Sequence, residues 1–390
     1  MNPRPFATFE EGETTRWKHR VSSEEVDRFA KLSGDDNPLH MDAAFARQHG
    51  FKGRVVHGML IGSFLSRVLG TRLPGPGVAW LSQSMRFIHP VYVDEEIEVV
   101  VQVSHASELG TMQLDTKVLN HMGEPVLTGQ AKVMVLQSEQ KVSWQDLTVI
   151  VTGGSRGIGA ASAVALGEKQ ARVIVNYLAN RKAADAVVEQ IEKSGGRALA
   201  VQADVSSDEG AKKLVRAALD NYGRVTAIVN SASPPIVRKP FVDGQWSDIE
   251  AYLRAYVQSA YALTREALPG MREAGFGRIV NVLSTAMWGT PQAEMSSYVV
   301  AKSALWGLTK AMAVELAPLG VTVNAISPSA VITDQWRDEP DSRARAIAKR
   351  IPLRRLATPE NVAQAVTFLI GPEGSYITGT NLPIAGGEVM

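Results

Sequence analysis

The sequence predicts two domains of different fold class, an N-terminal α+β domain and a C-terminal α/β domain with a doubly wound parallel sheet. The chain has 390 residues, more than one hydrophobic core usually supports. One long apolar helical segment followed by strands fills the first part, whereas strands and amphipathic helices alternate from Leu147 onward. We place the boundary in the polar stretch Gln137–Gln145, which gives domains of residues 1–140 and 141–390.

The composition excludes several classes of function. The chain is 45% hydrophobic and 21% charged, with a net charge of +1 and no basic tail, so we expect no nucleic-acid partner. No apolar run approaches the roughly 20 residues that span a bilayer, so we expect no membrane partner. The absence of cysteine excludes disulfides and cysteine-bound zinc, and it favours a cytoplasmic location. No close histidine pair has helical spacing beside a carboxylate, so we predict no metal site.

Local sequence signals predict the helices and strands of the N-terminal domain from Ser22 onward. Ser22 and Glu25 form a capping box for a helix that ends at Gly34. A turn-forming cluster, Asp35–His40, precedes a short helix, and the apolar segment Val55–Leu69 predicts a buried central helix. Strands are predicted at Val78–Phe87, Glu96–His105, Met112–Leu119 and Val126–Leu136. One long helix wrapped by an antiparallel sheet is the hot-dog arrangement.

Three motifs in this domain carry a resemblance to a known family. DDNPLH from Asp35 to His40, RVVHGM from residue 54, and LSQSMRFIHPVYVDEE from residue 81 are similar to the MaoC-like, (R)-specific enoyl-CoA hydratases, over about Val21–Val135. The resemblance implies that Asp35 and His40 are catalytic and that Asp36 is not. A carboxylate and an imidazole that converge on one water can take one proton and deliver another to the α-carbon of an enoyl thioester.

The same resemblance assigns the groups that stabilise the enolate oxygen and hold the substrate. It implies an oxyanion hole of backbone amides near His57 and Gly58, at the start of the central helix. Asn37 and Ser63 are expected to line the site, with Ser63 hydrogen-bonded within it. Taken alone, an Asp–Asn–His loop is usually a capped turn, and His57 is equally compatible with a structural role in the core.

The C-terminal domain shows the alternation typical of a doubly wound sheet. The predicted strands are Leu147–Val151, Arg172–Asn176, Ala198–Gln202, Ala227–Asn230, Arg278–Leu283, Val321–Ile326 and Leu382–Ile384. The predicted helices are Ala160–Leu166, Arg181–Lys193, Asp208–Tyr222, Ile249–Met271, Ser297–Leu316 and Glu360–Ile370.

A glycine-rich stretch, TGGSRGIG from Thr152 to Gly159, follows the first of these strands and opens the first helix. Unpaired amides and the helix dipole at such a helix start favour a dinucleotide pyrophosphate. We therefore expect the cofactor to contact this loop, through Gly153, Ser155, Arg156, Gly157, Ile158 and Gly159.

A phenol and an ammonium lie four residues apart on one predicted helix, at Tyr298 and Lys302, and Ser284 follows the preceding strand. With the glycine loop they resemble the short-chain dehydrogenase/reductase family, from Leu147 to the end of the chain. The resemblance implies that Tyr298 is the acid/base, that Lys302 lowers its pKa and holds the nicotinamide ribose, and that Ser284 orients the substrate carbonyl. Thr285 is the alternative to Ser284. Further cofactor contacts are expected at Asn176, Asp204, Val205, Asn230, Ala232 and Pro328, together with Tyr298 and Lys302.

The cofactor prediction is NADP(H). An NAD-preferring site carries an acidic residue at the end of the second strand, whereas residues 176–182 contain none. Arg156 can meet a 2′-phosphate with its planar fork of donors. The alternative is that Arg156, Arg181 and Lys182 are simply solvated.

Three departures from the reductase pattern stand near the predicted site. Ser231-Ala232-Ser233 follows Asn230 where the family has NNAG, and Ser329 replaces the glycine of a Pro-Gly pair. Tyr256 takes the place of an asparagine that supports a water linked to the lysine, which puts proton relay in question.

The two resemblances together predict a bifunctional enzyme. A reductase that makes a 3-hydroxyacyl thioester from a 3-oxoacyl thioester shares that product with a dehydratase that forms the trans-2-enoyl thioester. The expected substrate is an acyl thioester of CoA or acyl carrier protein, and the families imply a homodimer or homotetramer. Two alternatives remain: an active hydratase with a reductase domain that only binds nucleotide as regulator or scaffold, and two non-enzymatic assembly modules.

Overall fold

The computed structural model describes residues 9–106, 111–135, 142–333 and 341–389. The chain divides into two compact units, Met1–Glu139 and Gln140–Met390. The predicted boundary after residue 140, like the predicted strand end at Leu136, lies outside the described residues. Among the helices of the described ranges, none is both long enough and apolar enough to cross a membrane.

The N-terminal unit is built on one antiparallel sheet, in which the described strands follow the order β1-β3-β4-β5-β2. The strands are β1 Thr14–Arg20, β2 Val78–Phe87, β3 Glu96–Ala106, β4 Thr111–Leu119 and β5 Pro125–Val135. The helices are α1 Ser23–Ser33, α2 Pro38–Met41, α3 Ala43–Gln48 and α4 Gly58–Thr71. Leu65 and Leu69 of α4 are buried in one core with Val99, Val101 and Leu114 of the sheet, which confirms the predicted hot-dog fold.

Local hydrogen bonding explains where these elements differ from the prediction. The central helix begins at Gly58 rather than Val55, because Val55 forms a bridge with Tyr92 and the Val56 amide bonds to the Val91 carbonyl. Strand β1 was not predicted, since TTRWKHR has no apolar alternation; its backbone pairs with β3 from Thr14 to Arg20. The capping box at Ser22 and the left-handed Gly34 cap are present as predicted.

The C-terminal unit carries a parallel sheet whose described strands follow the order β12-β11-β10-β9-β6-β7-β8. The strands are β6 Thr148–Thr152, β7 Arg172–Tyr177, β8 Arg197–Gln202, β9 Ala227–Asn230, β10 Gly277–Val282, β11 Val321–Pro328 and β12 Asn381–Ile384. The helices are α5 Gly157–Glu168, α6 Arg181–Lys193, α7 Asp208–Tyr222, α8 Trp246–Leu253, α9 Ser259–Ala274, α10 Ser296–Leu316, α11 Asp341–Arg350 and α12 Pro359–Ile370. This is the predicted doubly wound α/β fold.

Two features of this unit position the site. The chain order reverses between β6 and β9, so the loops that follow these strands meet at the carboxyl edge, where ligands of such sheets bind. The single helix predicted over Ile249–Met271 is instead α8 and α9, joined by a π-helical segment, Arg254–Gln258, which contains Tyr256. Such π-helical insertions occur often at functional sites.

Candidate active sites

A capped turn presents the first predicted catalytic pair. The Asn37 side chain accepts a hydrogen bond from the Leu39 amide at 3.0 Å and so caps α2. The Asp35 carboxylate accepts from the Asn37 amide at 3.3 Å and is half exposed, with 52% of its side chain accessible. Sequence reasoning expected a plain turn here, whereas Pro38 at the first helical position starts one helical turn that carries His40.

The tautomer of His40 follows from its partners. Its Nδ1 lies 2.7 Å from the Val55 carbonyl oxygen, which can only accept, so Nδ1 carries the proton. The lone pair is therefore on Nε2, 3.9 Å from the Asp35 carboxylate. Two acceptors at that separation suit a water that donates one hydrogen to each.

His57 locks the loop onto the start of α4. Its Nε2 donates to the Asp35 carbonyl at 2.9 Å, and its ring stacks on His40 with 3.9 Å between centroids. The Nδ1 of His57 is buried without a partner among the described residues. Asp35, His40 and His57 thus offer three ligand atoms within 4.8 Å of one another, a cluster that sequence spacing did not indicate. The two stacked rings lie only 29° from parallel, so one ion cannot easily lie in both ring planes.

The start of α4 has the properties expected of an oxyanion site. No side chain caps this helix at His57, and Gly58 lies against the Phe87 ring, where an added Cβ would be 3.0 Å from a ring carbon. Ser63 does not show the predicted bond within the site, because its hydroxyl donates to the Leu60 carbonyl of its own helix at 2.6 Å. This is the i−3 bonding that serines commonly make inside helices.

Arg54 is a site residue that sequence reasoning missed. Its Nε donates to the His40 carbonyl at 2.6 Å, and its other nitrogens bind the Ser23 hydroxyl and the Asp27 carboxylate of α1. The guanidinium therefore ties the turn of His40 to α1. Arg54 is the first residue of RVVHGM, so the motif held the signal.

The glycine loop of the second unit is packed backbone against backbone. A Cβ at Gly159 would lie 2.2 Å from the Gly153 carbonyl oxygen, and one at Gly153 would lie 2.8 Å from the Ala232 Cα. Gly153 and Gly157 have φ of +62° and +54°, in the left-handed region that favours glycine. These glycines bring the loops after β6 and β9 into direct contact.

The start of α5 fits a dinucleotide phosphate. Arg156 is the N-cap and no side chain caps the helix, so the first amides of Gly157, Ile158 and Gly159 stay available. Ser155 is half-buried beside them, and the Arg156 side chain is exposed. A helix start without a side-chain cap, next to the closely packed Gly153 and Gly159, provides the donor set that a pyrophosphate needs.

Other predicted cofactor residues have partners within the protein, and of these Asn176 bonds to the glycine loop. The Asn176 side chain accepts from the Gly153 amide at 3.1 Å and donates to the Ala203 carbonyl at 3.0 Å, so its polar atoms are used by backbone. The Asp204 carboxylate accepts from the amide and hydroxyl of Ser206, with half-buried Val205 between them. Pro328 ends β11, paired with Ile384.

A buried polar chain extends from the end of β9. Asn230 donates to Asn281 at 2.8 Å, which donates to Thr309 at 2.9 Å, while the Asn230 carbonyl oxygen Oδ1 has no described partner. The hydroxyl of Thr152 accepts from the Ser231 and Ala232 amides at 3.0 Å each. An unsatisfied buried acceptor beside the loop is what a ligand hydroxyl or amide would satisfy.

The predicted acid/base residue lies deep in the second unit. Burial raises the pKa of Tyr298, the Tyr252 phenol adds to the rise, and a hydrogen bond with Ser284 acts in the opposite direction. Ser284 is the N-cap of a one-turn 3₁₀ helix, where its hydroxyl accepts from the Ala286 amide at 3.2 Å. Thr285, the alternative, is the first residue of that turn.

Lys302 lies one helical turn after Tyr298 on α10. Its Nζ donates to the Val282 carbonyl at 2.7 Å and lies 5.8 Å from the Tyr298 ring centroid. Burial lowers the pKa of Lys302 to about 7. Tyr256 lies beside it, with its ring centroid 3.6 Å from the ammonium.

Comparisons with known proteins agree with this geometry. Residues 153–388 match a family profile described as enoyl-(acyl carrier protein) reductase, and residues 6–124 match the MaoC-like domain. A 3-oxoacyl-[acyl-carrier-protein] reductase from Synechocystis sp. is 38% identical over 62% of this chain and 96% of its own length. An acetoacetyl-CoA reductase from Allochromatium vinosum is 37% identical over 62% and 98%.

Solved structures give the same result for the second unit. A dehydrogenase/reductase from Sinorhizobium meliloti aligns with a TM-score of 0.59 and 34% identity, over 63% of this chain and 95% of that one. A 7α-hydroxysteroid dehydrogenase complexed with NADH and 7-oxo glycochenodeoxycholic acid aligns with a TM-score of 0.60 and 30% identity, over 63% and 95%. The family binds a nicotinamide cofactor, and the loop of Gly153 and Gly159 fits one. The chain belongs to the short-chain dehydrogenase/reductase family and carries a MaoC-like hot-dog domain at its N-terminus.

Proposed function

We propose that the chain reduces 3-oxoacyl thioesters to (3R)-3-hydroxyacyl thioesters with NADPH and dehydrates these to trans-2-enoyl thioesters. The proposal is supported by two groups of side chains that the fold brings together, Asp35 with His40 in one unit and Ser284, Tyr298 and Lys302 in the other. Each set is proposed to act at the third carbon of an acyl thioester.

The reduction step needs one proton and one hydride. The nicotinamide cofactor supplies the hydride when bound. Tyr298 delivers the proton to the carbonyl oxygen, and the Ser284 hydroxyl orients that carbonyl. The Lys302 cation favours the phenolate that forms at Tyr298. One C–H bond and one O–H bond form, and the C=O double bond becomes a single bond.

The dehydration step removes one α-proton and one hydroxyl group as water. In the hydration direction, the water between His40 Nε2 and the Asp35 carboxylate gives a proton to one of these acceptors while its oxygen attacks the third carbon. The α-carbon then receives a proton from the same pair. Backbone amides at Gly58 stabilise the enolate oxygen that develops between these events.

The exposed Arg156, with no acidic residue in the stretch 176–182, supports NADPH rather than NADH. We also propose self-association as a homodimer or homotetramer, measured by light scattering, and a cytoplasmic location consistent with the cysteine-free composition. The carrier is CoA or acyl carrier protein, since relatives named for each are similar to the second unit.

Product analysis tests the proposal. A panel of short 3-oxoacyl-CoA substrates is incubated with NADPH or NADH, with acyl-carrier-protein thioesters in parallel, and products are identified by mass. The wild type should yield hydroxyacyl and enoyl products. Tyr298→Phe should abolish reduction alone, and His40→Ala should stop the reaction at the hydroxyacyl thioester.

A second function is favoured by one observation, the Tyr256 ring beside Lys302 where the family has asparagine. In that case the second unit binds nucleotide as a regulator or scaffold for an active hydratase. Tight NADPH binding without turnover of any 3-oxoacyl thioester would establish it.

A further inference from the structure

The ammonium of Lys302 is buried without a charged partner. No ion pair to it is formed within the described part of the chain, and its hydrogen bond goes to the neutral Val282 carbonyl. The other contact is the Tyr256 ring, whose centroid lies 3.6 Å from Nζ. A cation this close to a tyrosine face is attracted by the ring quadrupole, most strongly where water is excluded.

The orientation of the Tyr256 ring is fixed by a directional hydrogen-bond chain. Its hydroxyl lies 2.7 Å from the Ser233 Oγ, and that Oγ donates its own proton to the Pro234 carbonyl at 3.0 Å. The hydrogen bond to Ser233 therefore fixes the position of the Tyr256 hydroxyl, and with it the orientation of the ring. The Tyr252 ring stacks on that of Tyr256, with centroids 5.8 Å apart.

We propose that Tyr256 and Ser233 act as one positioning unit, in which Ser233 orients the ring and the ring face holds the Lys302 ammonium beside Tyr298. The ring of Tyr256 meets that of Tyr298 edge to face, with centroids 6.0 Å apart, so it constrains both residues. The proposal rests on the proposed role of Tyr298 as the acid.

Two of the sequence departures thereby become one feature. Ser233 stands where the family has glycine and Tyr256 where it has asparagine, and the two side chains bind each other. A serine at the first position supplies the hydrogen-bond partner that a buried tyrosine at the second requires. The pair then supports Lys302 in place of the asparagine and the water that the family pattern implies.

Tyr256 does not act as a second acid/base group. Its hydroxyl is bound to Ser233, and burial raises the pKa of this phenol well above its usual range. What it offers Lys302 is the ring face, which a phenylalanine would keep and an aliphatic residue would lose.

The experiment measures kcat and KM for NADPH-dependent reduction of a 3-oxoacyl-CoA. Tyr256→Phe should stay within about threefold of wild type, whereas Tyr256→Leu should lose about 30-fold in kcat with little change in KM, equivalent to about 2 kcal/mol. Tyr261→Leu, the same change at an exposed position of α9, is the matched control and should have no effect.

Two further variants test the hydrogen bond. Ser233→Ala and Tyr256→Phe remove the same bond, so the double variant should be no worse than the poorer single variant. The pair Ser233→Gly with Tyr256→Asn should recover activity lost by Tyr256→Asn alone. Equal losses of kcat for Tyr256→Phe and Tyr256→Leu would refute the proposal. Additive losses of kcat in the double-mutant cycle of Ser233→Ala with Tyr256→Phe would also refute it.

A separate readout keeps the inference apart from the proposed function. If the wild type turns over no thioester, the proposed function fails. Hydrogen exchange of peptides from 296–316 then tests whether Tyr256 and Ser233 position Lys302. Tyr256→Leu should lower protection of this helix in the wild-type background and not in a Lys302→Met background. Equal loss in both backgrounds would refute it.

Discussion

Replacement of Gly159 by alanine should separate the two activities proposed for the chain. The added Cβ would lie 2.2 Å from the Gly153 carbonyl oxygen and 2.8 Å from its carbon. Carbon and oxygen atoms in proteins approach to about 3.3 Å, so Gly153 or the start of α5 must move by about 1 Å. Neither atom belongs to a flexible side chain, and the Gly153 amide is held by Asn176.

The displacement falls on the amides that would bind the cofactor phosphate. Overpacking of this kind costs about 1–3 kcal/mol, and a hydrogen bond weakens steeply as its geometry is lost. If this overpacking cost is added when the cofactor binds, NADPH affinity falls about 10- to 100-fold. The hydratase set of Asp35 and His40 lies in the other compact unit, so its activity should be retained.

Fluorescence titration with NADPH and the hydration rate of an enoyl-CoA measure the two effects on one preparation. Gly270→Ala is the matched control, because a Cβ there meets nothing within 4 Å in the helix α9, and alanine favours a helix. It should leave both measurements unchanged. Wild-type NADPH affinity in Gly159→Ala would show that this loop does not hold the cofactor.

Three other perturbations test separate parts of the chain. Arg156→Ala should weaken NADPH binding about tenfold and leave NADH binding unchanged in parallel titrations; equal losses would contradict recognition of the 2′-phosphate. Arg54→Lys should lower kcat for enoyl-CoA hydration at least tenfold, because an ammonium cannot keep all three bonds that fix the turn of His40; an unchanged rate would contradict its positioning role. Burial lowers the pKa of Lys302 to about 7 from 10.5, so the unfolded state binds more protons between these values and stability should rise with pH there, by up to about 1.4 kcal/mol per pH unit. Urea unfolding across this window should show the rise in wild type and not in Lys302→Met.

The element types were predictable because each has a local cause. Alternating strands and amphipathic helices from Leu147 onward specified the parallel sheet, and the cap at Ser22 specified α1. Strand β1 was not predictable from TTRWKHR, because its place depends on pairing with β3 more than 80 residues away, as at Arg16 and Val100. The break at Arg254–Gln258 likewise has no proline or glycine to signal it.

The catalytic residues were predictable as types and the supporting residues were not. Motif spacing indicated Asp35, His40, Tyr298 and Lys302, whose roles stay predictions. The bonds that orient them, from Arg54 to the His40 carbonyl and from Ser233 to Tyr256, join residues that lie 14 and 23 positions apart, and only Arg54 belongs to a motif that the sequence indicated. Asn176 shows the converse, because the motif gave no sign that its side chain bonds to the Gly153 amide and the Ala203 carbonyl, and its predicted contact with the cofactor stays a prediction.

The two candidate sites differ in how they place charge, and the difference suits the chemistry proposed for each. At Asp35 the carboxylate is half exposed and its partner His40 presents a lone pair, so protons can be exchanged with bulk water between turnovers. Tyr298 and Lys302 are both buried, so a phenolate formed at Tyr298 must be reprotonated through neighbouring groups. Burial excludes water from a carbonyl that is to accept hydride, whereas hydration and dehydration need water as reactant or product. The two requirements conflict within one pocket, which gives a physical reason for placing the two proposed reactions in two folds.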